Sequence, residues 1–305
     1  MKGALRPLRD ALVVARFDLA ESLRSRRVLV FLILYIAGAV ASTVLFTEVL
    51  QEAEEVLAEQ LLVARTTQPG SLTEAIMQSP ELHRILTRLV GDESLVTQLL
   101  RLPPVALLYH WVSVAFAPVF VMLTASDAIS GEVASGSVRF SLFRTDRASW
   151  AVGKLLGQSA LLAVGLLCGA LGAWITGWIQ LASFQPWETA LWLLRYAGTA
   201  FFFAFAHVGL ALGVSQLTRS VPWSRALGLF ALVVAFALPR WLDWGPLAES
   251  APVLSQTLQQ LFPSAHRLDL WRPELTSVAR SAAMLVALSA AYFAIGHARF
   301  ARRDA

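Results

Sequence analysis

The sequence predicts an all-α integral membrane protein with six transmembrane helices, and three observations carry that fold class. Mean hydropathy is +0.60, and only 15% of the 305 residues are charged, too little charged surface for a soluble chain of this size. Apolar windows of spanning length fall at 28–47, 105–126, 155–182, 190–217, 225–242 and 277–296. A helix of about twenty residues covers ~30 Å, the thickness of the hydrocarbon core. Windows this long exclude a β-barrel, whose strands would read as short alternating segments.

Residues 1–27 form a cationic lead, so the first apolar run opens too late and runs too long for a cleavable signal peptide. Within the lead, Leu5, Leu8, Leu12, Ala15, Leu19 and Leu23 recur at steps of three and four, while Arg9, Arg16, Asp18 and Arg24 fall largely elsewhere on the wheel. The pattern predicts an amphipathic helix lying at the lipid surface. Segment 48–104 is expected to form a small helical insertion. EVLQEAEEVLAEQLLVA reads as an exposed amphipathic helix, Pro69–Gly70 breaks it, and two shorter helices precede Pro103–Pro104.

Residues 127–154 carry seven charges between two strongly apolar windows. Drawing them through lipid would cost roughly 3 kcal/mol each, roughly 20 in all, so this stretch is a loop. Ser126 or Asp127 is placed to cap a short helix, Gly131 and Gly136 permit a turn, and Glu132 and Arg139 lie two turns apart on one helical face. Arg144 and Arg147 flank a break at Thr145–Asp146, and Trp150 is expected to anchor the third span at the interface. The fifth window is the weakest, because Pro239 and Arg240 interrupt it. In the 243–276 segment, residues 252–262 are apolar-periodic but too short to cross, which predicts an interfacial or re-entrant helix.

The basic residues set direction. Placing both termini in the cytoplasm puts sixteen of the twenty-five there, in short segments beside span ends, while 48–104 on the other side holds nine acidic residues against four arginines. Intramembrane ionisable groups are functional candidates by default. His207 reads as a neutral histidine bonded to a neighbouring helix, with His110 in the second span, and Arg195 is expected to snorkel or to pair with Glu188. The lone Cys168 reads as a small core residue. Five scattered histidines contain no H-E-x-x-H, and Ser215 and His207 share one span, so no catalytic or metal site is predicted.

Asp127, Ile129, Ser130, Glu132, Gly136, Ser137, Arg139, Leu142 and Arg147, followed by Gly153–Lys154, resemble the inner-loop pattern of ABC-2 family permeases, the membrane subunits of ABC transporters. Thr145 stands where that pattern has proline, and GLALGVSQLTRSVPWSRALGL (209–229) resembles the family's fourth and fifth spans with their short inner loop. The resemblance covers nearly the whole chain as a single transmembrane domain, 1–305. It implies a cytoplasmic coupling helix, carrying Asp127, Ile129, Ser130, Glu132, Gly136, Arg139 and Arg147, that docks on a separate ATP-binding subunit.

It further implies a second permease copy, identical or related, export across a bacterial inner membrane, and contact with membrane lipids. ATP and Mg would belong to the partner; this chain has no G-x-x-x-x-G-K-[ST], and Leu155 follows Gly153–Lys154. No nucleic acid is implied. The alternative is a non-transporting assembly subunit acting on an extracytoplasmic protein through 48–104; an intramembrane enzyme is the third reading.

Overall fold

In lipid every backbone N–H and C=O must be bonded internally, and long apolar runs satisfy this as helices. The computed structural model describes residues 6–61, 77 and 79–302, which form helices and turns only. The lead helix α1 (Arg6–Arg24) is followed by α2 (Arg26–Leu61). Then come α3 (Pro80–Val90), α4 (Glu93–Leu99) and α5 (Pro104–Ala125). Short helices α6 (Ser130–Ser135) and α7 (Val138–Leu142) lead into α8 (Arg147–Gln180). After α9 (Pro186–Leu217) and α10 (Val221–Trp244) the chain makes α11 (Pro246–Ser250), α12 (Pro252–Gln259) and two 3-10 turns (Pro263–His266, Leu268–Trp271). It ends on α13 (Leu275–Ala301). Among the described residues six helices are long and apolar enough to cross a membrane, namely α2, α5, α8, α9, α10 and α13. Each predicted window falls on one of them, the second and third ending one and two residues beyond their helices.

Two elements differ from the sequence expectation. Residues 48–61 do not form a separate helix but extend α2, whose 36 residues reach ~54 Å. The extension is pinned early, where Thr47 Oγ1 donates to Gln180 Oε1 at 2.5 Å, and Glu54 is buried. Residues 62–64 and the expected break at Pro69–Gly70 lie outside the described residues. The fifth window, interrupted in sequence by Pro239 and Arg240, is one helix: α10 continues through both to Trp244, since in a membrane neighbouring groups re-satisfy the carbonyl a proline frees. Within 252–262, Pro252–Gln259 form the eight-residue α12, ~12 Å long. Ser255 Oγ ties α12 to the end of α10 by donating to Leu242 O at 2.5 Å, and Val253 is exposed.

The insertion follows its capping signals. Ser79 and Asp92 accept from the N–H groups of Leu82 and Leu95, and Gly91 ends α3 at φ +76°. Leu95, Val96 and Leu99 are buried, and Arg272 Nη2 donates to Asp92 at 2.8 Å, fastening α4 to the turn before α13.

At the centre, α9 packs against α5, α8, α10 and α13. Its crossing with α13 is built on glycines: a Cβ on Gly213 would lie 2.5 Å from Tyr292 O, and Cβ atoms on Gly209 and Gly296 would collide with the backbone of Ser289 and Gly213. Without a hydrophobic force between helices in lipid, such close backbone approach is what holds them.

The start of α8 carries its own cap. Asp146 accepts from Ser149 N at 2.8 Å and Ser149 Oγ at 2.6 Å. The Ser149 hydroxyl first, then its N–H, hold the Asp146 carboxyl below the usual carboxylate range. A depressed carboxylate contributes stability that is present above its unfolded pKa and is lost as pH falls through the folded one. Asp146→Ala is therefore expected to cost ~1 kcal/mol near neutrality. Melting curves of the two proteins across a pH series should converge in acid.

Candidate functional site

The charged stretch between α5 and α8 lies at the same end of the bundle as α1, and the structure fastens it at three points. The first is Asp127. Its carboxylate accepts from Arg27 Nη1 at 2.5 Å and from Arg225 Nε and Nη2 at 2.9 and 2.6 Å, while Arg27 Nη2 donates to Leu123 O at 2.6 Å. One mostly buried carboxylate thus joins the starts of α2 and α10 to the end of α5. Charge-assisted bonds of this kind are stronger than neutral ones and are less screened where water is partly excluded.

The second point is the start of α6. Neither Ser126 nor Asp127 caps it; Asp127 faces its two arginines instead. The N–H groups of Ile129 and Ser130 donate to Ser215 Oγ at 3.1 and 3.0 Å, so the cap comes from α9, 85 residues away. Ser224 Oγ on α10 donates to Ser126 O at 2.5 Å. Ile129, Ser130 and Ser215 are fully buried.

The third point is Glu132. Its carboxylate pairs with Lys154 Nζ, which also donates to Asp18 Oδ1 at 2.6 Å. Gln158 Nε2 donates to Asp18 Oδ2 at 2.8 Å. Asp18 and Lys154 are each only 5% exposed. This moves Asp18 from the polar face on which the sequence wheel put it into an ion triad centred on Lys154, with Glu132 at its partly exposed end. Burying Asp18 and Lys154 is strongly unfavourable unless each is paired, so the triad fixes α1, α6 and α8 relative to one another.

Glu132 and Arg139 do not share a helical face. Gly136, at φ +75°, closes α6 and starts a turn into α7. Beyond that turn Val138 points into the core, whereas Arg139, Phe140, Phe143 and Arg144 are exposed. Phe140 is 77% and Phe143 86% exposed, high values for aromatic side chains. Sequence reasoning overlooked both; the signal available was the pair of phenylalanines inside R-F-S-L-F-R. Arg147 turns the other way, donating from Nη1 to Ala301 O at 2.9 Å at the end of α13. Trp150 is no interfacial anchor: it is 1% exposed and stacks on Phe300 at 5.8 Å.

The intramembrane polar residues lie elsewhere. His207 Nδ1 is 3.0 Å from Phe203 O, one turn back on its own helix, and its ring stacks on Phe236 of α10. It is satisfied locally rather than by a neighbouring helix. His110 stacks on Tyr196 and meets the edge of Trp271, both at 4.3 Å, with Thr199 Oγ1 3.5 Å from Nδ1. Arg195 does not turn to Glu188; Nη2 donates to the carbonyls of Arg272 and Pro273 at 3.1 and 2.5 Å, and the guanidinium covers Trp192. Beside it, a cavity of about 350 Å³ is lined by Gln98, Arg101, Leu102, Trp192, Pro273 and Glu274.

Six spanning helices with a charged helical hairpin fastened across one end define a multi-pass membrane protein of the permease type. The chain belongs to the ABC-2 family: it matches the family described as ABC-2 family transporter protein over residues 12–305. No curated protein matches it significantly. Membership makes it a transport subunit rather than an enzyme, the membrane-spanning part of an ABC transporter.

Proposed function

We propose that the chain is the permease subunit of an exporter in a bacterial cytoplasmic membrane, with both termini and the α6–α7 hairpin facing the cytoplasm. A separate ATP-binding subunit holds ATP and Mg and docks on the hairpin, and a second permease copy completes the path. Family membership supports the ATP-binding partner.

The observation that carries the reading is the exposed Phe140–Phe143 pair between Arg139 and Arg144, on a hairpin locked to the bundle. Aromatic side chains bracketed by arginines are typical binding anchors once a partner covers them. Motion imposed there reaches α2, α9 and α10 through Asp127 and Ser215, and α1 and α8 through Glu132. Rigid displacement of such a unit is a standard route from a motor to a bundle of packed helices.

Co-expression with a candidate ABC ATP-binding subunit from the same organism tests it. The wild-type pair is expected to co-purify and to show permease-dependent ATPase activity. Phe140→Ser with Phe143→Ser should lower that association at least tenfold while leaving the melting temperature unchanged. A hairpin variant that binds as tightly as the wild type would place the ATPase elsewhere.

A further inference from the structure

At 3.6 residues per turn the surface of α1 divides into four arcs. Ala11, Ala15, Asp18 and Ser22 are buried. Next around the helix come Leu8, Leu12, Leu19 and Leu23, of which Leu8 and Leu12 are each 56% exposed. Then follow Arg6, Arg9, Arg16 and Arg24, all exposed and interleaved with Val13 and Phe17. Asp10 and Glu21 close the circle. This sequence of arcs matches a helix lying on a charged bilayer, with leucines toward the acyl chains, arginines level with the phosphates and carboxylates in water.

The buried arc of the same helix supplies Asp18 to Lys154, and Lys154 also holds Glu132 of α6. There is no slack in the seat of α1. A Cβ on Gly153 would lie 2.5 Å from Val14 Cβ and 2.8 Å from Ala11 O, and one on Gly157 would lie 2.5 Å from Asp18 Oδ2. The seats of α1 and α6 are therefore linked through one ammonium group.

We propose that anionic phospholipid binds the arginine arc of α1 and, through Asp18–Lys154–Glu132, holds α6 seated, so that the rigidity of the hairpin depends on the charge of the adjacent leaflet. This rests on the functional reading above only for what the rigidity then does to coupling. The occupant follows from charge complementarity: four exposed arginines beside a leucine arc meet both parts of an acidic lipid.

Hydrogen exchange of the full chain in nanodiscs tests it without any ATPase present. Exchange of residues 130–135 is expected to be about fivefold slower in phosphatidylglycerol-containing discs than in discs of phosphatidylcholine alone, the effect of about one arginine held at an anionic surface. Glu132→Gln and, separately, Asp18→Asn should abolish that difference, as should Arg9→Gln with Arg16→Gln. Equal exchange of the wild type in both lipids, or a lipid response that survives in Glu132→Gln and Asp18→Asn, would overturn the proposal. An ATPase that fails to dock would sink the functional reading and leave these exchange results standing.

Discussion

Replacing Lys154 with methionine is expected to destabilise the protein by about 3–5 kcal/mol, the range for breaking a buried ion pair from one side. Methionine fills much of the stem volume but leaves the carboxylates of Asp18 and Glu132, 5% and 22% exposed, facing each other without a cation. Gln158 offers Asp18 one amide donor, which does not replace an ammonium. The triple variant Asp18→Asn, Glu132→Gln, Lys154→Met removes every charge together and should recover most of the loss, because paired replacement of buried ions is often neutral. Denaturation in mild detergent, followed through the ten tryptophans, measures both. A single variant as stable as the wild type would mean that the triad is hydrated and contributes little.

Gly209→Val is expected to cost about 3 kcal/mol, at the upper part of the overpacking range. The new Cβ would enter the space of the Ser289 carbonyl, and Ser289 Oγ already bonds Phe205 O at 2.9 Å. Rotating the Ser289 hydroxyl away would not relieve the clash, because the Cβ also meets the carbonyl oxygen and Cα of Ser289. Gly198 on the same helix has nothing within 4 Å of its would-be Cβ, and Gly198→Ala should leave stability unchanged or slightly raised, as alanine favours a helix. Parallel melting of the two variants separates a crossing defect from a general intolerance of α9 to substitution.

The spans were legible because each is a long uninterrupted apolar run, and nothing else in the chain imitates that signal. The α5–α8 connection was legible as a loop from its charges and as broken before the third span from Thr145–Asp146, but not as a hairpin: placing Glu132 and Arg139 on one helical face runs a helix through Gly136, whose left-handed φ ends it. What periodicity could not supply was the partner of each charge. Asp18 sits on a wheel beside arginines and looks solvated; only the three-dimensional neighbourhood of Gly153 and Gly157 brings α1 close enough to bury it on Lys154. Ser215, read as a poor partner for His207, proves to cap a helix 85 residues earlier in the chain, and such long-range caps leave no mark on local sequence. For Arg195 the sequence offers snorkelling or the carboxylate of Glu188, because opposite charges are readable, whereas the backbone carbonyls of Arg272 and Pro273 that it meets are sequence-silent. The unbroken α2 has a similar cause: polarity changes at Glu48, but no residue there ends a helix.

Accessibility of the hairpin is the most direct test of the account. Ser135 is exposed at the end of α6, so Ser135→Cys in a Cys168→Ala background offers one reactive thiol to a membrane-impermeant maleimide. Reaction in inside-out vesicles and none in intact cells is the predicted result. Labelling from the exterior of intact cells would put the hairpin on the wrong side for any ATP-driven partner and contradict the account.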